Sequence, residues 1–490
     1  MKIIFTLISC LFLTIAQSQE LKTIELLPPE SKEYKDLAFL KNELQGKQLV
    51  MLGEQTHMYG NIFEMKTRVL EYLHQELGFT TIAMESSMYD IWKMNKKGFN
   101  SKQFNNAIWG VWSSTLEFQR VVNYIEKNNL KVIGFDSQVN NASQFVEDFY
   151  DYLDSQNITL KLDEDDLGII IEGVLENVTI EEDDIKYKVY EKEINRIIKQ
   201  IENLDSNEIN YYWKQFTKSL LASSQDAYYN KKEILTTDFG NENDNIRDKQ
   251  MADNLLSYIK RNPNEKIICW ADNVHIINDN SSISKPIAKD FISMGSYIHQ
   301  DLKEKSYSLA TIHANDSLLD LGTKKWHSTP IKINSFEYQL NNLNKPYLFV
   351  TSNQKEIQSL KETRLLNFVD FTNARLDQLH DGYIFFQKAT LPKLETIKDS
   401  TTVSSKQIAL GKKIEQIEIG ENVILKGQLL TEENNEPIPF ATLILKKEEI
   451  YRVADENGFY ELPIKKAMLK NSTVAISSMG FETKTISLKE

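Results

Sequence analysis

Residues 48–57 read Gln-Leu-Val-Met-Leu-Gly-Glu-Gln-Thr-His, an apolar run that ends in Glu54 and His57. Three further apolar runs end in the same way: residues 80–84 precede Glu85, residues 131–135 precede Asp136, and residues 266–270 precede Asp272 and His275. In an open α/β sheet the C-terminal ends of parallel strands face one crevice, so groups far apart in sequence meet there. The four runs therefore predict a parallel sheet with a chemical site of carboxylates and imidazoles at one edge.

The segments between these runs have helical patterns. In residues 59–77, apolar side chains recur every three or four positions, and Gly78 follows as a helix stop. Strand, helix, strand implies an α/β fold with a mostly parallel sheet flanked by helices, here over residues 19–390. Residues 142–232 are long, charged and helical in pattern, which predicts an insertion that either caps the strand ends or packs the sheet faces.

A different texture begins after residue 390. Residues 391–420 are polar and indicate a linker. Within residues 421–490, β-rich stretches alternate with turn signals, among them Asp455-Glu456-Asn457-Gly458. This segment predicts a small all-β sandwich domain at the C-terminus.

The N-terminal segment has the charge, apolar length and small-residue site of a secretory signal peptide over residues 1–18. We therefore expect a secreted protein, located in the periplasm or cell envelope. Cleavage before Cys10 as a lipoprotein is the alternative. Removal of the signal leaves Cys269 as the single cysteine, which excludes an intramolecular disulfide. Because Cys269 lies inside an apolar run, we expect a core residue and not a nucleophile.

Composition excludes several classes of function. The chain has 490 residues, 41% hydrophobic, with a net charge of −13 and no basic stripe, which argues against a nucleic-acid partner. Beyond the signal, no run approaches the ~20 apolar residues of a membrane helix. The G-x-S-x-G, G-x-G-x-x-G and Walker motifs are absent, so a covalent serine hydrolase and a dinucleotide enzyme are not expected.

Several motifs occur in an order that resembles the erythromycin esterase family. They are Leu52-Gly53-Glu54-Gln55-Thr56-His57, residues 63–68, Met84-Glu85-Ser86, residues 133–136, Arg247-Asp248, residues 270–275 and Ser293-Met294-Gly295. The resemblance spans about residues 49–386 and implies a hydrolase of macrolide lactone esters that needs no cofactor. Matched residue by residue, it implies a site of Glu54, His57, Glu85 and His275. Residues 427–443, 454–460 and 478–481 resemble the carboxypeptidase regulatory-like domain, a sandwich without chemistry of its own, and we expect it to bind an envelope partner.

The chemistry of these side chains gives each a provisional role. An imidazole of ordinary pKa ~6.5 takes a proton from water near neutral pH, so His57 is the expected general base on water attacking a small ester or lactone. Glu54 and Glu85 would orient and stabilise it, and His275 would polarise the substrate or protonate the alkoxide. Supporting groups are expected from Asp136 and from Arg68 or Arg247 as oxyanion donors, with a structural ion pair as the alternative for Arg247.

Two positions depart from the pattern that the resemblance implies. Asp272 stands where the family usually carries a histidine, and Lys66 stands where it usually carries an arginine. Lysine lacks the planar fork of arginine, and a further carboxylate raises neighbouring carboxylate pKa values or attracts a cation. Both departures argue against erythromycin itself as the substrate. If a divalent metal were present, its ligands would be Glu54, His57, Asp272 and His275, although no compact metal motif occurs.

Two other functions stay open. The related haem-binding, iron-regulated lipoprotein family has a similar sheet but binds instead of hydrolysing, and a degenerate family member would bind a small molecule without turnover. The Glu54-x-x-His57 pair together with Glu85 favours the hydrolase. The remaining histidines lack a partner pattern and are expected to be structural; they are His74, His299, His313, His327 and His380.

Overall fold

The computed structural model describes most of the chain from residue 21 to residue 393 and shorter stretches beyond it. The described residues are 21–175, 184–229, 245–284, 291–319, 326–365, 371–393, 408–410, 415–419, 422–431, 435–438, 441–445, 450–455, 457–470, 472–477 and 484–488. The chain divides into two compact units, residues 1–395 and 396–490. The predicted signal peptide and Cys10 lie outside the described residues.

An eight-stranded mixed sheet forms the centre of the first unit. Its strands are β1 (Ile24–Glu25), β2 (Leu49–Glu54), β3 (Thr81–Ser87), β4 (Lys131–Asp136), β5 (Ile267–Asp272), β6 (Ser306–His313), β9 (Tyr347–Thr351) and β12 (Gly382–Phe386). Their order is β1-β9-β12-β6-β2-β5-β3-β4. The six strands from β12 to β4 are parallel, and β9 and β1 add antiparallel pairs. Two small hairpins pair β7 (Ser317–Leu319) with β8 (Trp326–Ser328) and β10 (Lys361–Thr363) with β11 (Thr372–Ala374). The predicted α/β class is confirmed.

Helices flank this sheet. They are α1 (Leu40–Glu43), α2 (Gly60–Leu77), α3 (Met88–Lys96), α4 (Ser101–Ala107), α5 (Gly110–Ser113), α6 (Leu116–Asn128), α7 (Ala142–Ser155), α8 (Glu164–Leu175), α9 (Asp184–Glu202), α10 (Glu208–Tyr229), α11 (Asn245–Arg261), α12 (Met294–Leu302), α13 (Phe336–Asn341) and α14 (Leu376–Leu379). Helix α2 begins after Tyr59 and ends at Gly78, whose φ of 72° is the left-handed conformation that glycine adopts without strain. No helix among the described residues is long and apolar enough to span a bilayer.

The predicted insertion is helical, from α7 to α10. Its aromatic side chains form a hydrophobic cluster of their own with Tyr89 at the start of α3; Trp213 stacks on Tyr152 and also meets Phe145 and Phe216. These rings are core residues, because burying them supplies the stabilisation of this layer. Cys269 is likewise buried, in β5, and burial raises the pKa of its thiol, which suits a packing role.

Close backbone contacts shape the carboxyl end of the sheet. A β-carbon on Gly53 would overlap the side chain of Asn273, and one on Gly134 would overlap the backbone carbonyls of Ser86 and Ser87. The pairing of β3 with β4 shifts register between Met84 and Ser87. Such an irregularity re-aims side chains, here that of Glu85, which lies within the shifted segment.

The second unit contains two four-stranded sheets. One holds β13 (Ile408–Leu410), β14 (Glu415–Ile419), β15 (Asn422–Thr431) and β18 (Phe459–Lys465); the other holds β16 (Thr442–Leu445), β17 (Ile450–Val453), β19 (Thr473–Ser477) and β20 (Lys484–Ser487). Val423, Leu443, Leu462 and Ile476 lie in its hydrophobic core. Gly458 has φ 75°, as its predicted tight turn requires.

The linker predicted over residues 391–420 is too long at its C-terminal end. Strands β13 and β14 lie inside it and pair antiparallel with β15. These two strands are only three and five residues long and lie among polar residues, a composition that favours a linker. The β-rich unit therefore begins before residue 421.

Candidate active site

Glu54 sits at the centre of one group of contacts at the end of β2. Its Oε1 accepts hydrogen bonds from His57 Nδ1 at 2.6 Å and Trp112 Nε1 at 2.7 Å. Its Oε2 accepts one from Lys66 Nζ at 2.7 Å, and this ammonium also lies 4.1 Å from the centre of the Trp270 ring. We call Glu54, His57, Lys66 and Trp112 the Glu54 half of the site.

These contacts determine the protonation of the Glu54 half. The indole of Trp112 and the ammonium of Lys66 are donors without acceptor capacity, so Glu54 meets them as a carboxylate. The His57 ring must then carry its proton on Nδ1, and in its neutral form Nε2 holds the lone pair. The His57 side chain keeps 25% of its surface exposed, so that nitrogen has access to a ligand in the crevice.

The environment changes the acidity of both partners. Burial disfavours the charged imidazole, but the hydrogen bond and charge of Glu54, with Glu85 and Asp272 nearby, raise the pKa of His57 to about 9. Lys66 and His57 outweigh burial and hold the pKa of Glu54 below its ordinary value. The ordinary imidazole pKa assumed from the sequence is therefore wrong here, and His57 is mostly an imidazolium at neutral pH.

A second group of contacts surrounds Glu85 at the end of β3. Arg247 on α11 donates to Asp136 Oδ2 at 2.6 Å and to Glu85 Oε1 at 3.3 Å. His275 Nε2 lies 3.3 Å from the same Glu85 oxygen, and its Nδ1 lies 2.9 Å from Asp248 Oδ1. We call Glu85, Asp136, Arg247, Asp248 and His275 the Glu85 half.

The Glu85 half holds two cations, Arg247 and His275, against its three carboxylates. His275, His57 and Arg247 outweigh burial and hold the pKa of Glu85 well below its ordinary value. Asp248 and Glu85 in turn raise the pKa of His275 well above its ordinary value, although burial opposes this. The His275 side chain is 10% exposed. Arg247 thus combines the structural ion pair foreseen as its alternative with a place in the site.

Asp272 lies between the two halves, at the end of β5. It is the register partner of Glu54 on the neighbouring strand, and its backbone N–H donates to Glu85 Oε2 at 2.8 Å. Its Oδ1 accepts the N–H of Val274 at 2.9 Å. Burial raises the pKa of Asp272 to about 6, with His57 opposing and Glu85 adding to the rise. The pKa values of the neighbouring carboxylates Glu54 and Glu85 are instead lowered, because each of them has cationic partners.

Arg68 is not part of the site. Its guanidinium donates to Asp36 and to the backbone oxygen of Glu33, in the segment that precedes α1. Lys66 and Arg68 are two residues apart, which turns their side chains about 200° around the axis of α2. Since Lys66 faces Glu54, Arg68 faces away from it, and the prediction of Arg68 as an oxyanion donor is wrong.

Two residues of the site were given no role in it from the sequence, Asp248 and Trp112. Asp248 holds His275 and accepts the N–H of Met294 at 2.7 Å, and its adjacency to Arg247 on one helix was the available signal. Trp112 reaches Glu54 from the short helix α5, 58 residues along the chain, and its position carried no pattern.

The other described histidine contacts are structural. His74 Nδ1 lies 2.8 Å from the Tyr124 hydroxyl, and His380 Nδ1 lies 2.7 Å from the Ser308 hydroxyl. His313 is fully buried at the end of β6, against the Tyr59 ring. His299 lies in α12 and His327 in β8.

The metal alternative finds little geometric support. Among the described residues, no group of three or more His, Cys, Asp or Glu side chains is arranged to hold a metal ion. Of the four ligands named for that alternative, Glu54 and His57 are already bound to each other, and His275 is bound to Asp248.

Comparison with known proteins identifies the family of each unit. Residues 74–389 match the family model described as erythromycin esterase, and residues 425–490 match the one described as CarboxypepD_reg-like domain. Both resemblances found in the sequence are thereby confirmed. The first match covers more than half of the chain but begins after Glu54, His57 and Lys66, so those three residues lie outside it.

Individual relatives cover most of the first unit. "Putative hydrolase YbfO" of Bacillus subtilis (strain 168) is 27% identical over 394 residues, 73% of this chain and 87% of the relative. A Bacillus cereus protein is similar in structure with a TM-score of 0.60 and 17% identity, covering 76% of this chain and 96% of its own. A mutant of the erythromycin esterase EreC in its open conformation is similar in structure with a TM-score of 0.59 and 14% identity. The match covers 76% of this chain and 98% of the EreC chain. At these identities the structural likeness shows the fold alone.

Proposed function

The chain belongs to the erythromycin esterase family, and we propose that it hydrolyses a carboxylic ester or lactone with water activated at His57. The observation that carries this proposal is the Glu54–His57 pair at 2.6 Å, which holds Nδ1 protonated and leaves Nε2 toward a partly exposed crevice. The family match and the relative's name support a hydrolase more coarsely, without a substrate.

The proposed reaction needs no covalent intermediate. Neutral His57 takes a proton from water at Nε2 while the water oxygen adds to the carbonyl carbon, and the carbonyl electron pair moves to oxygen. The tetrahedral species then collapses, the bond to the alcohol oxygen breaks, and the imidazolium returns its proton to that oxygen. Glu54 holds the ring in position and stabilises its charged form, as the carboxylate of a catalytic triad does.

The Glu85 half of the site does not supply the general base; it supplies positive charge that can stabilise the transition state. Arg247 and His275 are cations that each lie 3.3 Å from Glu85 Oε1, on β3, two strands away from β2, which His57 follows. Preorganised cations stabilise negative charge that develops on a substrate oxygen. We assign to this half the orientation of the substrate carbonyl and support for the oxyanion.

We further propose a substrate class and a cellular location for this hydrolase. Lys66 gives Glu54 a single-point cation where the family resemblance implies an arginine fork, so we expect an ester or lactone other than erythromycin itself, with macrolide resistance as an outcome if another macrolide is cleaved. The signal-like residues 1–18 support a secreted or envelope enzyme, and the C-terminal unit is proposed to bind an envelope partner.

The test is hydrolysis of a panel of macrolides and simple esters by residues 19–490, with and without chelator. We expect turnover that survives chelator and falls at least 100-fold in His57→Ala, whereas His74→Ala on the far part of α2 serves as the matched control and keeps full activity. Loss of turnover with chelator would contradict the metal-free proposal. If no ester is cleaved while haem titration gives a Soret band, the binding alternative replaces the hydrolase.

A further inference from the structure

The carboxylates of the site differ in how many donors they meet. Glu54 accepts from three side chains, and Glu85 accepts from the Asp272 backbone, His275 and Arg247. Asp136 takes two bonds from Arg247 and one from a backbone N–H, and Asp248 takes His275 and a backbone N–H.

Asp272 is the exception. Within the described part of the chain, its Oδ1 accepts from Val274 N and its Oδ2 accepts no hydrogen bond. The residue keeps 8% of its surface exposed, and Oδ2 is not among the fully buried polar atoms that lack a hydrogen-bond partner. A carboxylate oxygen that is neither paired nor sealed has access to a water molecule or ligand in the crevice.

The position of Asp272 puts that oxygen beside the proposed base. Glu54 and Asp272 are paired in register on neighbouring parallel strands, so their side chains leave the same face of the sheet, and such strands lie about 4.8 Å apart. The charged groups that act on Asp272 come from every neighbouring segment: His57 after β2, Glu85 on β3, His275 after β5 and Lys66 on α2.

We propose that Asp272 is a catalytic residue of this hydrolase: its free Oδ2 takes the proton of the attacking water when His57 is an imidazolium. This inference rests on the proposed function and deepens it, because it gives the site a proton acceptor at neutral pH. His57 then acts through Nε2–H as a donor to the developing oxyanion.

The step balances within the site. The water O–H bond breaks as its proton moves to Asp272 Oδ2, the water oxygen bonds to the carbonyl carbon, and the carbonyl π pair moves to oxygen beside the His57 imidazolium. On collapse the carbonyl re-forms, the carbon–oxygen bond to the alcohol breaks, and the Asp272 acid returns its proton to the alkoxide. The products are an alcohol and a carboxylic acid, which ionises in solvent.

The two groups have the required states over one pH interval. With a pKa of about 6, Asp272 is ionised above that pH, and with a pKa of about 9, His57 is protonated below that pH. If His57 alone activated water at neutral pH, the reaction would depend on the uncharged form of His57, which is the minor form at that pH. Above about pH 9 that form dominates, and His57 becomes the base.

The test is the pH dependence of kcat/KM for ester hydrolysis by wild type, Asp272→Asn and Asp272→His. Wild type is expected to show an ascending limb near pH 6. Asp272→Asn should lose at least 100-fold between pH 7 and 8, should lack that limb and should recover above pH 9, because the asparagine takes no proton. Asp272→His, which restores a proton acceptor, should regain activity at neutral pH.

Controls separate this inference from folding and from the proposed function. Asp253→Asn, an exposed carboxylate on α11, should leave the profile unchanged, and thermal midpoints should show that Asp272→Asn is folded. Turnover with a wild-type profile in Asp272→Asn would overturn the inference alone. An absence of ester turnover by the wild-type protein would contradict the proposed function and this inference with it.

Discussion

His57 and His275 each bind a carboxylate through Nδ1, yet their other ring nitrogens meet different surroundings. In the Glu54 half, His57 keeps 25% of its side chain exposed and its Nε2 is available. In the Glu85 half, His275 keeps 10%, and its Nε2 lies 3.3 Å from both Glu85 Oε1 and Arg247 Nη1. Equal residue types therefore serve different roles: an available nitrogen can exchange a proton, whereas an enclosed one holds charge in place.

The charges of the two halves follow the same division. The Glu54 half holds one carboxylate against Lys66 and His57, and the Glu85 half holds three carboxylates against Arg247 and His275. A dense ion-pair network resists reorganisation, and its fixed charges act on the neighbouring reaction. The comparison predicts that changes in the Glu54 half alter proton transfer and that changes in the Glu85 half alter substrate orientation and folding.

The largest effect is expected for Glu54→Ala. Without its acceptor, the His57 ring loses both its fixed tautomer and the charge that stabilises its imidazolium, so kcat should fall about 10³-fold with a small change in KM. Glu76→Ala on the exposed side of α2 is the control. Steady-state kinetics measure both. A Glu54 variant with wild-type kcat would remove the distinction between the halves.

Lys66→Met should cost stability as well as rate. Glu54 is fully buried, and Lys66→Met removes one of its two cationic partners while the His57 imidazolium remains, so the free energy of unfolding should fall by about 1–3 kcal/mol. Denaturant unfolding followed by circular dichroism measures the loss. Lys66→Arg keeps the charge and should recover most of the stability. Equal destabilisation by both substitutions would indicate a packing role for Lys66 in place of an electrostatic one.

Arg68→Gln should reduce stability without changing activity, whereas Arg247→Gln should reduce activity. Arg68 binds Asp36 away from the crevice, so its loss should lower the free energy of unfolding by about 1–3 kcal/mol and leave kcat/KM unchanged. Arg247→Gln should lower kcat/KM at least tenfold, since it removes a cation beside Glu85. The reverse pattern would return Arg68 to the list of site residues.

The smallest effect concerns the pH dependence of the folding stability. The folded pKa of His57 is about 9, above the ~6.5 of an unfolded imidazole, so the folded state binds the proton more tightly. This contribution is complete below pH 6.5 and is lost as pH rises through 9, about 1–3 kcal/mol in all. Thermal midpoints should fall over this interval, and His57→Gln should flatten the curve. A His57→Gln curve as steep as wild type would contradict the assigned pKa.

Strands and helix ends were readable from the sequence because they depend on local chemistry. The four apolar runs became β2, β3, β4 and β5 within three residues at each end, and Gly78 ends α2 as predicted. Glu54, Glu85, Asp136 and Asp272 meet at the strand ends because parallel strands share one edge. These inferences need no knowledge of side-chain packing.

Features that depend on packing were not readable. Lys66 and Arg68 lie on opposite sides of α2. The sequence does not show which side of this helix faces the strand ends, because that depends on how the helix packs on the sheet. Trp112 reaches Glu54 from a short distant helix, and the His57 pKa depends on three carboxylates brought together by folding. Strands β13 and β14 became recognisable only by their pairing with β15.

Whether water attacks the substrate carbonyl without a covalent intermediate is best tested by a single turnover in oxygen-18 water. The enzyme is in excess over a substrate identified among the macrolides and simple esters. We predict that the acid product carries one oxygen-18 after the first turnover and that peptides containing Glu54, Glu85 and Asp272 carry none. An unlabelled first-turnover acid, together with oxygen-18 in one of those carboxylates, would show a covalent intermediate and contradict activation of water at His57.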